Sequence, residues 1–539
     1  MKSVVMLHCA AREWIATAIC RALNQGADTG CKMRLCGNVL RSTLKRRLAR
    51  AAAVCVIAGG AAACTTIGDP LNEAITSAPN QALDALDAGS IPVDDTIIGL
   101  SFSGGGTRAA AFSFGVLKEM ATVSHKEGDQ SRSLVEQVDF VSGVSGGSVT
   151  AAYFALKGPA ALADFRERFL IANVEGSLRT SVTPGNVARL IGGGVNDAEG
   201  LPAWLNQNLF NGATFGDVLR KRRPILWVNA SDIYNRSPFI FDRETFAALC
   251  SNIDNYPLAN AVAASAAVPL VFAPVAIQNH AKRCDYRMPS WTAGALQNTN
   301  APANLKAYAK GLQRYREDQT LNFVKLLDGG LADNFGLQGF SLARARAQDP
   351  YAPLTPQQAV NLKRMLFLVV DAGRPVRADF QKTLGGHSGF ELVMAATDTA
   401  IDSTVRLSFD SFTASMTQWQ NEIIRYRCGL PAAQVQRMRK TMAGWNCRDI
   451  KFFVGKVAFE QVNDPELFNQ LAEIKTSLSL PAQQVDRLID AARTAMRQNP
   501  AWNNFVQSLS GKPLDTSGLA TLTLSRGEGR GAPLRMSTQ

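Results

Sequence analysis

The chain has 539 residues, 46% of them hydrophobic, with 57 Lys and Arg against 45 Asp and Glu. That apolar share excludes a chain disordered throughout, and no window holds the ~20 apolar residues of a membrane-spanning helix, which excludes a polytopic membrane protein. The net charge of +12 does not mark a nucleic-acid partner: ten basic and two acidic residues fall within 1–63, so residues 64–539 hold 47 and 43 and are nearly balanced.

Residues 1–63 read as an address. Arg41, Lys45, Arg46, Arg47 and Arg50 precede an apolar run from Ala51 to Ala63, which closes on Ala61-Ala62-Ala63-Cys64. Basic region, short apolar region and small-residue site form a secretory signal pattern. The ending resembles a bacterial lipoprotein signal, in which Cys64 becomes the lipid-bearing first residue, although Ala61 stands where Leu is more usual. The expected location is the bacterial cell envelope, lipid-anchored and facing the periplasm, with the cytoplasm as the alternative. Met1 or Met33 can begin such a leader. Beyond Cys64 only Cys250, Cys284, Cys428 and Cys447 remain. In an oxidising compartment they permit two disulfides in three connectivities, Cys250–Cys284 with Cys428–Cys447 being the local one; four free thiols is the other reading. Four His in all and no zinc-finger spacing give no expectation of a metal centre.

Residues 64–95, with Pro70, Pro79, Gly89 and Pro92, suit a linker. From 96 the pattern changes. Ile97–Phe102 is a short apolar run, followed by Gly104-Gly105-Gly106 and a helical stretch from Ala109 to Met120. Val138–Val141 is a second run; it meets a Gly/Ser turn and passes into Val149–Leu156. Further strand-like runs fall at Ile225–Val228, Phe323–Leu327 and Met365–Val370. This alternation predicts a three-layer α/β/α fold with a mainly parallel central sheet over 96–375. Residues 376–511 are expected to be a mostly helical C-terminal region. Ile401, Val405, Phe409, Phe412, Met416, Trp419 and Ile423 recur every three or four residues, one face of a long helix, and a core face rather than a lipid site. Phe453, Val457 and Phe459 lie in an expected strand. Asp464-Pro465-Glu466 and Leu480-Pro481 announce two helix starts. Residues 512–539 have the composition of a disordered tail.

Three clusters carry chemistry. Gly143-Val144-Ser145-Gly146-Gly147 sits between a strand and a helix, the setting in which G-x-S-x-G exposes a nucleophilic serine on a tight turn. Gly143 and Gly147 flank the turn without side chains, Gly146 lets backbone approach a bound group, and the helix directs its amide end at the site. Ser103-Gly104-Gly105-Gly106-Thr107-Arg108 also joins a strand to a helix. Its glycines let backbone N–H groups converge on an anion, as an attacked carbonyl oxygen requires, and it lacks the Gly-Lys-Ser/Thr ending of a nucleotide loop. Arg108 orients this loop, attracts a phosphate head group, or is simply paired. Asp328-Gly329-Gly330 closes the Phe323–Leu327 run at the strand end where α/β sheets place their sites, although a simple turn reads the same way.

These blocks, in this order, resemble the patatin-like phospholipase family, which uses a glycine-rich oxyanion loop, a Ser in G-x-S-x-G and an Asp in D-G-G. Ala264-Ser265-Ala266-Ala267-Val268-Pro269-Leu270-Val271-Phe272-Ala273-Pro274 resembles the family's A-S-x-A-x-P-x-x-F-x-P stretch, and Asn334 and Thr476–Ala491 fit bacterial members; Ala109 stands where many members have Gly. The resemblance implies a Ser145 nucleophile, Asp328 as its general base, and the amides of Gly104, Gly105 and Gly106 as the oxyanion site, with Arg108, Gly143, Gly146, Gly147, Gly329 and Gly330 in support. It implies a lipid acyl hydrolase that needs no cofactor or metal, acting on membrane phospholipid or another lipid ester at a membrane surface. A broader esterase, thioesterase or acyltransferase, and a non-catalytic envelope binding protein, are the alternatives. An Asp base must be desolvated to work near neutral pH. His387 follows Asp328 in the order of a hydrolase triad but lies in a Gly/Ser loop, where an ordinary surface or capping role is expected.

Overall fold

The computed structural model describes residues 68–77, 94–127, 130–178, 195–196, 199–221, 223–346, 349–373 and 389–510. The leader, Cys64, His387 and the 512–539 tail lie outside the described residues. Among the described residues no helix is long and apolar enough to cross a membrane.

Eight strands form one sheet: β1 (Thr96–Phe102), β2 (Phe140–Val144), β3 (Ile225–Asp232), β4 (Ser237–Ile240), β5 (Val275–Gln278), β6 (Phe323–Asp328), β7 (Arg364–Asp371) and β8 (Lys451–Ala458). The order is β8-β7-β1-β2-β3-β6-β5, with β4 also on β3. The pairs β8–β7, β7–β1, β1–β2 and β2–β3 are parallel; β3–β6, β6–β5 and β3–β4 are antiparallel. The central strands are apolar on both faces because both are covered: every residue of β1 and β2 is buried. Gly99 leaves the space that the Phe140 ring of the next strand fills.

One face carries α1 (Gly106–Met120), α2 (Gly146–Lys157), α6 (Ala482–Gln498) and α7 (Pro500–Leu509). The other carries an aromatic layer in which Phe140 stacks on Phe340, 5.5 Å away, and Phe340 meets Phe412 and Trp419. Phe340 belongs to α4 (Gln338–Ala345), and Phe412 and Trp419 to α5 (Gly389–Cys428). Phe412, Met416, Trp419 and Ile423 are fully buried, so this stretch of the expected helical face is core.

The region after 375 is not an appendage. All eight residues of β8 pair with β7, completing the sheet, and Val485, Leu488, Ile489, Ala492 and Met496 of α6 are buried above α1. Asp464 caps its helix, accepting from the Glu466 and Leu467 amides. Disulfides join Cys250 to Cys284 and Cys428 to Cys447.

The stretch expected to be a linker is in part docked. Glu73 and Ala74 pair antiparallel with Asn252 and Ser251. The Asn72 side chain accepts from the Gln278 amide at 2.8 Å and donates to the Gln278 carbonyl at 2.8 Å and to Ser251 Oγ at 2.6 Å. His280 Nε2 lies 3.2 Å from the Asn72 carbonyl. An amide side chain copies the donor and acceptor of a peptide group, so a polar segment satisfies the exposed end of β5 as another strand would.

Candidate active site

The register of β3 builds the site. Asn229 pairs with Ile240 of β4 and with Val144 of β2. Ala230 pairs with Phe239 of β4 and with Asp328 of β6. Since β4 occupies one side of β3, β2 and β6 share the other side and meet end to end, their carboxyl ends a single residue step apart. Ser145 follows one of those ends and Asp328 is the other.

Ser145 has φ 51 and ψ −123, a conformation that side chains rarely adopt. Its amide donates to Ser265 Oγ at 2.9 Å, and Ser265 Oγ donates to the Asn229 carbonyl at 2.6 Å. Its carbonyl accepts from the Ser148 amide and hydroxyl, closing the first turn of α2. Gly146 packs its α-carbon on the Gly106 carbonyl, a contact that leaves no room for a β-carbon. Gly143 is similarly closed by Ser148, and Gly147 by the Phe102 and Ser103 carbonyls. Thus α1 and α2 both begin beside Ser145, and their amide ends raise the potential there.

Asp328 is buried. Its carboxylate accepts from the Gly330 amide at 2.8 Å and stands within reach of the Ser145 side chain. Burial pushes its pKa up to about 6, against the lowering effect of those two groups. Its backbone is tied down as well: the Asp328 amide donates to Ala267 O, the Gly329 amide to Ser265 O, and Ser231 Oγ to Asp328 O. Gly329 passes so close to the Asn229 carbonyl that a side chain would not fit.

In the glycine loop, the Gly104 amide is already engaged by Asn334, through both its carbonyl and Oδ1 at 3.2 Å. Gly105 and Gly106 have φ +138 and +61, which place their amides where a side-chain-bearing residue would be strained. The loop is held from a distance. The Thr107 amide donates to Ser477 O at 2.8 Å. Arg108 is buried and donates from Nε to Ala372 O and from Nη1 to Ile474 O, both at 2.9 Å. Arg108 therefore orients the loop.

Sequence reading named Ser145, Asp328 and the glycine loop, which the fold brings together, but passed over Ser265 and Asn229, which hold them. The signal was the Ala264–Pro274 block, whose serine is the acceptor for the Ser145 amide. Ser265→Ala leaves that buried N–H without its acceptor, at a cost of about 1–3 kcal/mol. The Ser265→Ala protein should therefore melt at a lower temperature, and Ser265→Thr, which keeps the oxygen, should recover most of the loss. Parent-like melting of Ser265→Ala would show that Ser265 does not hold the Ser145 turn.

Residues 100–340 match the family model of the patatin-like phospholipases. Over those residues the chain is similar to that family. The match spans most of β1, the glycine loop, the Ser145 turn and β6 with Asp328, but not Ala372, Ile474 and Ser477, which hold the loop. No curated protein matches the chain. Among solved structures it is similar to human GIVD cytosolic phospholipase A2, at 11% identity and a TM-score of 0.35 over 78% of this chain and 63% of that one. It is also similar to VipD from Legionella pneumophila, at 12% and 0.29 over 81% and 72%. The ExoU–SpcU complex of the Pseudomonas aeruginosa type III secretion system matches at 15% and 0.18, over 84% and 94%. The chain thus spans less than two thirds of the human protein's length.

Proposed function

We propose that the protein is a lipid acyl hydrolase of the phospholipase A type, working through a Ser145–Asp328 dyad at a membrane surface to which Cys64 anchors it by lipid, in the bacterial envelope. The observation that supports this reading is a buried Asp328 within reach of the Ser145 side chain, both in the span that matches the patatin-like phospholipases. Ser145 Oγ attacks the ester carbonyl carbon while Asp328 takes its proton. The Gly105 and Gly106 amides receive the negative charge on the carbonyl oxygen. The tetrahedral adduct collapses, the lyso-lipid oxygen leaves with the proton from Asp328, and an acyl-serine remains. Water, deprotonated by Asp328, then releases the fatty acid and restores Ser145.

The test is fatty-acid release from phospholipid vesicles by the full chain, beside hydrolysis of short soluble esters. Release from vesicles is expected; no cleavage of any ester by the folded protein overturns the reading, and cleavage of short esters alone favours a broader esterase. A base must be ionised to accept a proton, and Asp328 ionises at about 6. The rate should therefore rise about tenfold per pH unit below that value and level off above it. A profile still climbing through pH 8 would point to a different base.

A further inference from the structure

Antiparallel β6 carries the chain outward from the nucleophile. Asp328 lies beside Ser145, and Phe323, five residues earlier, lies ~17 Å further out at the same end of the sheet. The β3–β4 turn and the end of β5 reach that tip with it: the Ile233 amide donates to Lys325 O, and Phe323 pairs with Gln278. Ile233 thus stands opposite Lys325, on the same face as Phe323 two residues away. Leu71 precedes the Asn72 that docks on Gln278. Leu71, Ile233, Tyr234 and Phe323 are 51%, 41%, 48% and 47% exposed. These are four of the seven large apolar residues so exposed among the described residues, and they cluster on one tip. Exposed Lys325, Lys282 and Arg283 lie along the same strands and the turn after them. Nearby Asp318 is taken up by the Tyr234 hydroxyl and by Thr320.

We infer that this tip is the surface by which the protein lies on an anionic lipid bilayer, which deepens the lipid-hydrolase reading above and rests on it. Exposed apolar side chains with Lys325, Lys282 and Arg283 among them suit the acyl–headgroup boundary of such a bilayer, although exposed Asp69, Glu73, Asp285 and Glu317 share these segments. The chain itself favours a bilayer over other partners. Eight residue steps separate Cys64 from the docked Asn72, a reach of at most about 29 Å, so a lipid on Cys64 holds this corner at the membrane. The site lies at the same end of the sheet, so docking there turns it toward its substrate.

The experiment uses the full chain with Cys64→Ser, which removes the anchor, and sedimentation with vesicles of phosphatidylethanolamine and phosphatidylglycerol. Ile233→Asp together with Phe323→Asp should lower binding about tenfold. Lys282→Glu with Arg283→Glu should weaken it mainly at low salt. Met442→Asp, at an exposed apolar residue elsewhere in the chain, should leave it unchanged. Hydrolysis of a short soluble ester should be the same in all of them. The basic leader is common to every variant, so Phe323→Trp supplies a local readout: its emission, taken as the difference from the parent, should shift to the blue on vesicles. Unshifted emission, parent-like binding by the double Asp variant, or loss of a self-associated form in place of lipid binding would overturn the inference. Tip-dependent binding by a protein that cleaves no ester would keep the docking surface and remove the hydrolase reading.

Discussion

If the protein is the proposed hydrolase, Ser145→Ala should abolish ester hydrolysis, by about 10³-fold or more, in a protein that keeps its fold. The turn does not depend on the hydroxyl, because it is held by the Ser145 amide and carbonyl. Asp328→Asn should remove activity to a similar extent but act differently on stability. An Asp whose pKa is raised by folding binds its proton more tightly in the native state than in the unfolded one. Its contribution is present in full below the ordinary value of 3.8 and is lost as pH rises through about 6. At neutral pH the native state therefore carries a buried carboxylate at a cost of about 3 kcal/mol. A neutral Asn, still accepting from the Gly330 amide, removes that cost. The inactive Asp328→Asn protein should melt at a higher temperature than the parent at pH 7.5, and the gap should close toward pH 4. Equal melting temperatures at pH 7.5 would mean that Asp328 is not held in the raised state that the base proposed above requires.

A chain ending at residue 444 should fail to fold, although the family match ends a hundred residues earlier. Such a chain lacks β8 and α6. Its loss exposes the edge of β7, whose Met365–Val370 run is buried throughout. It also uncovers the α1 surface beneath Val485, Leu488, Ile489 and Met496. At about 1.5–3 kcal/mol for each such side chain, the four residues together account for roughly 6–12 kcal/mol, comparable to the whole stability of a typical domain. Insolubility or a missing thermal transition is the expected result. A soluble, cooperatively melting fragment would show that 445–510 is dispensable.

The motifs around Ser145, Gly104–Gly106 and Asp328 were legible because each depends on local spacing. A strand, a glycine-flanked serine and a helix sit within a dozen residues, and the same holds for Gly104–Gly106 and for Asp328-Gly329-Gly330. The buried stripe of α5 and the Asp464 cap were legible for the same reason. The parts that were not legible are long-range. No pattern in β2 or β6 announces that they meet end to end along β3; that follows from a register spanning nearly two hundred residues. The strand around Phe453 was visible, but not its place beside β7. Arg108 was ambiguous because its partners, Ala372 and Ile474, lie hundreds of residues away. Asn72 was read as linker because nothing distinguishes an asparagine that completes a sheet edge from one in water.

The glycine loop and its clasp also impose an order in time. Gly105 and Gly106 leave the ribosome long before Ile474 and Ser477, which hold Arg108 and the Thr107 amide in place. At about 5–20 residues per second, the interval between them is on the order of tens of seconds. The serine, its strand and its helix are synthesised first, and the residues that fix the loop arrive among the last. A nascent chain therefore carries Ser145 with an unfixed glycine loop until Ile474 and Ser477 have been made. Under the hydrolase reading proposed above, the cell is shielded from lipid cleavage over that interval.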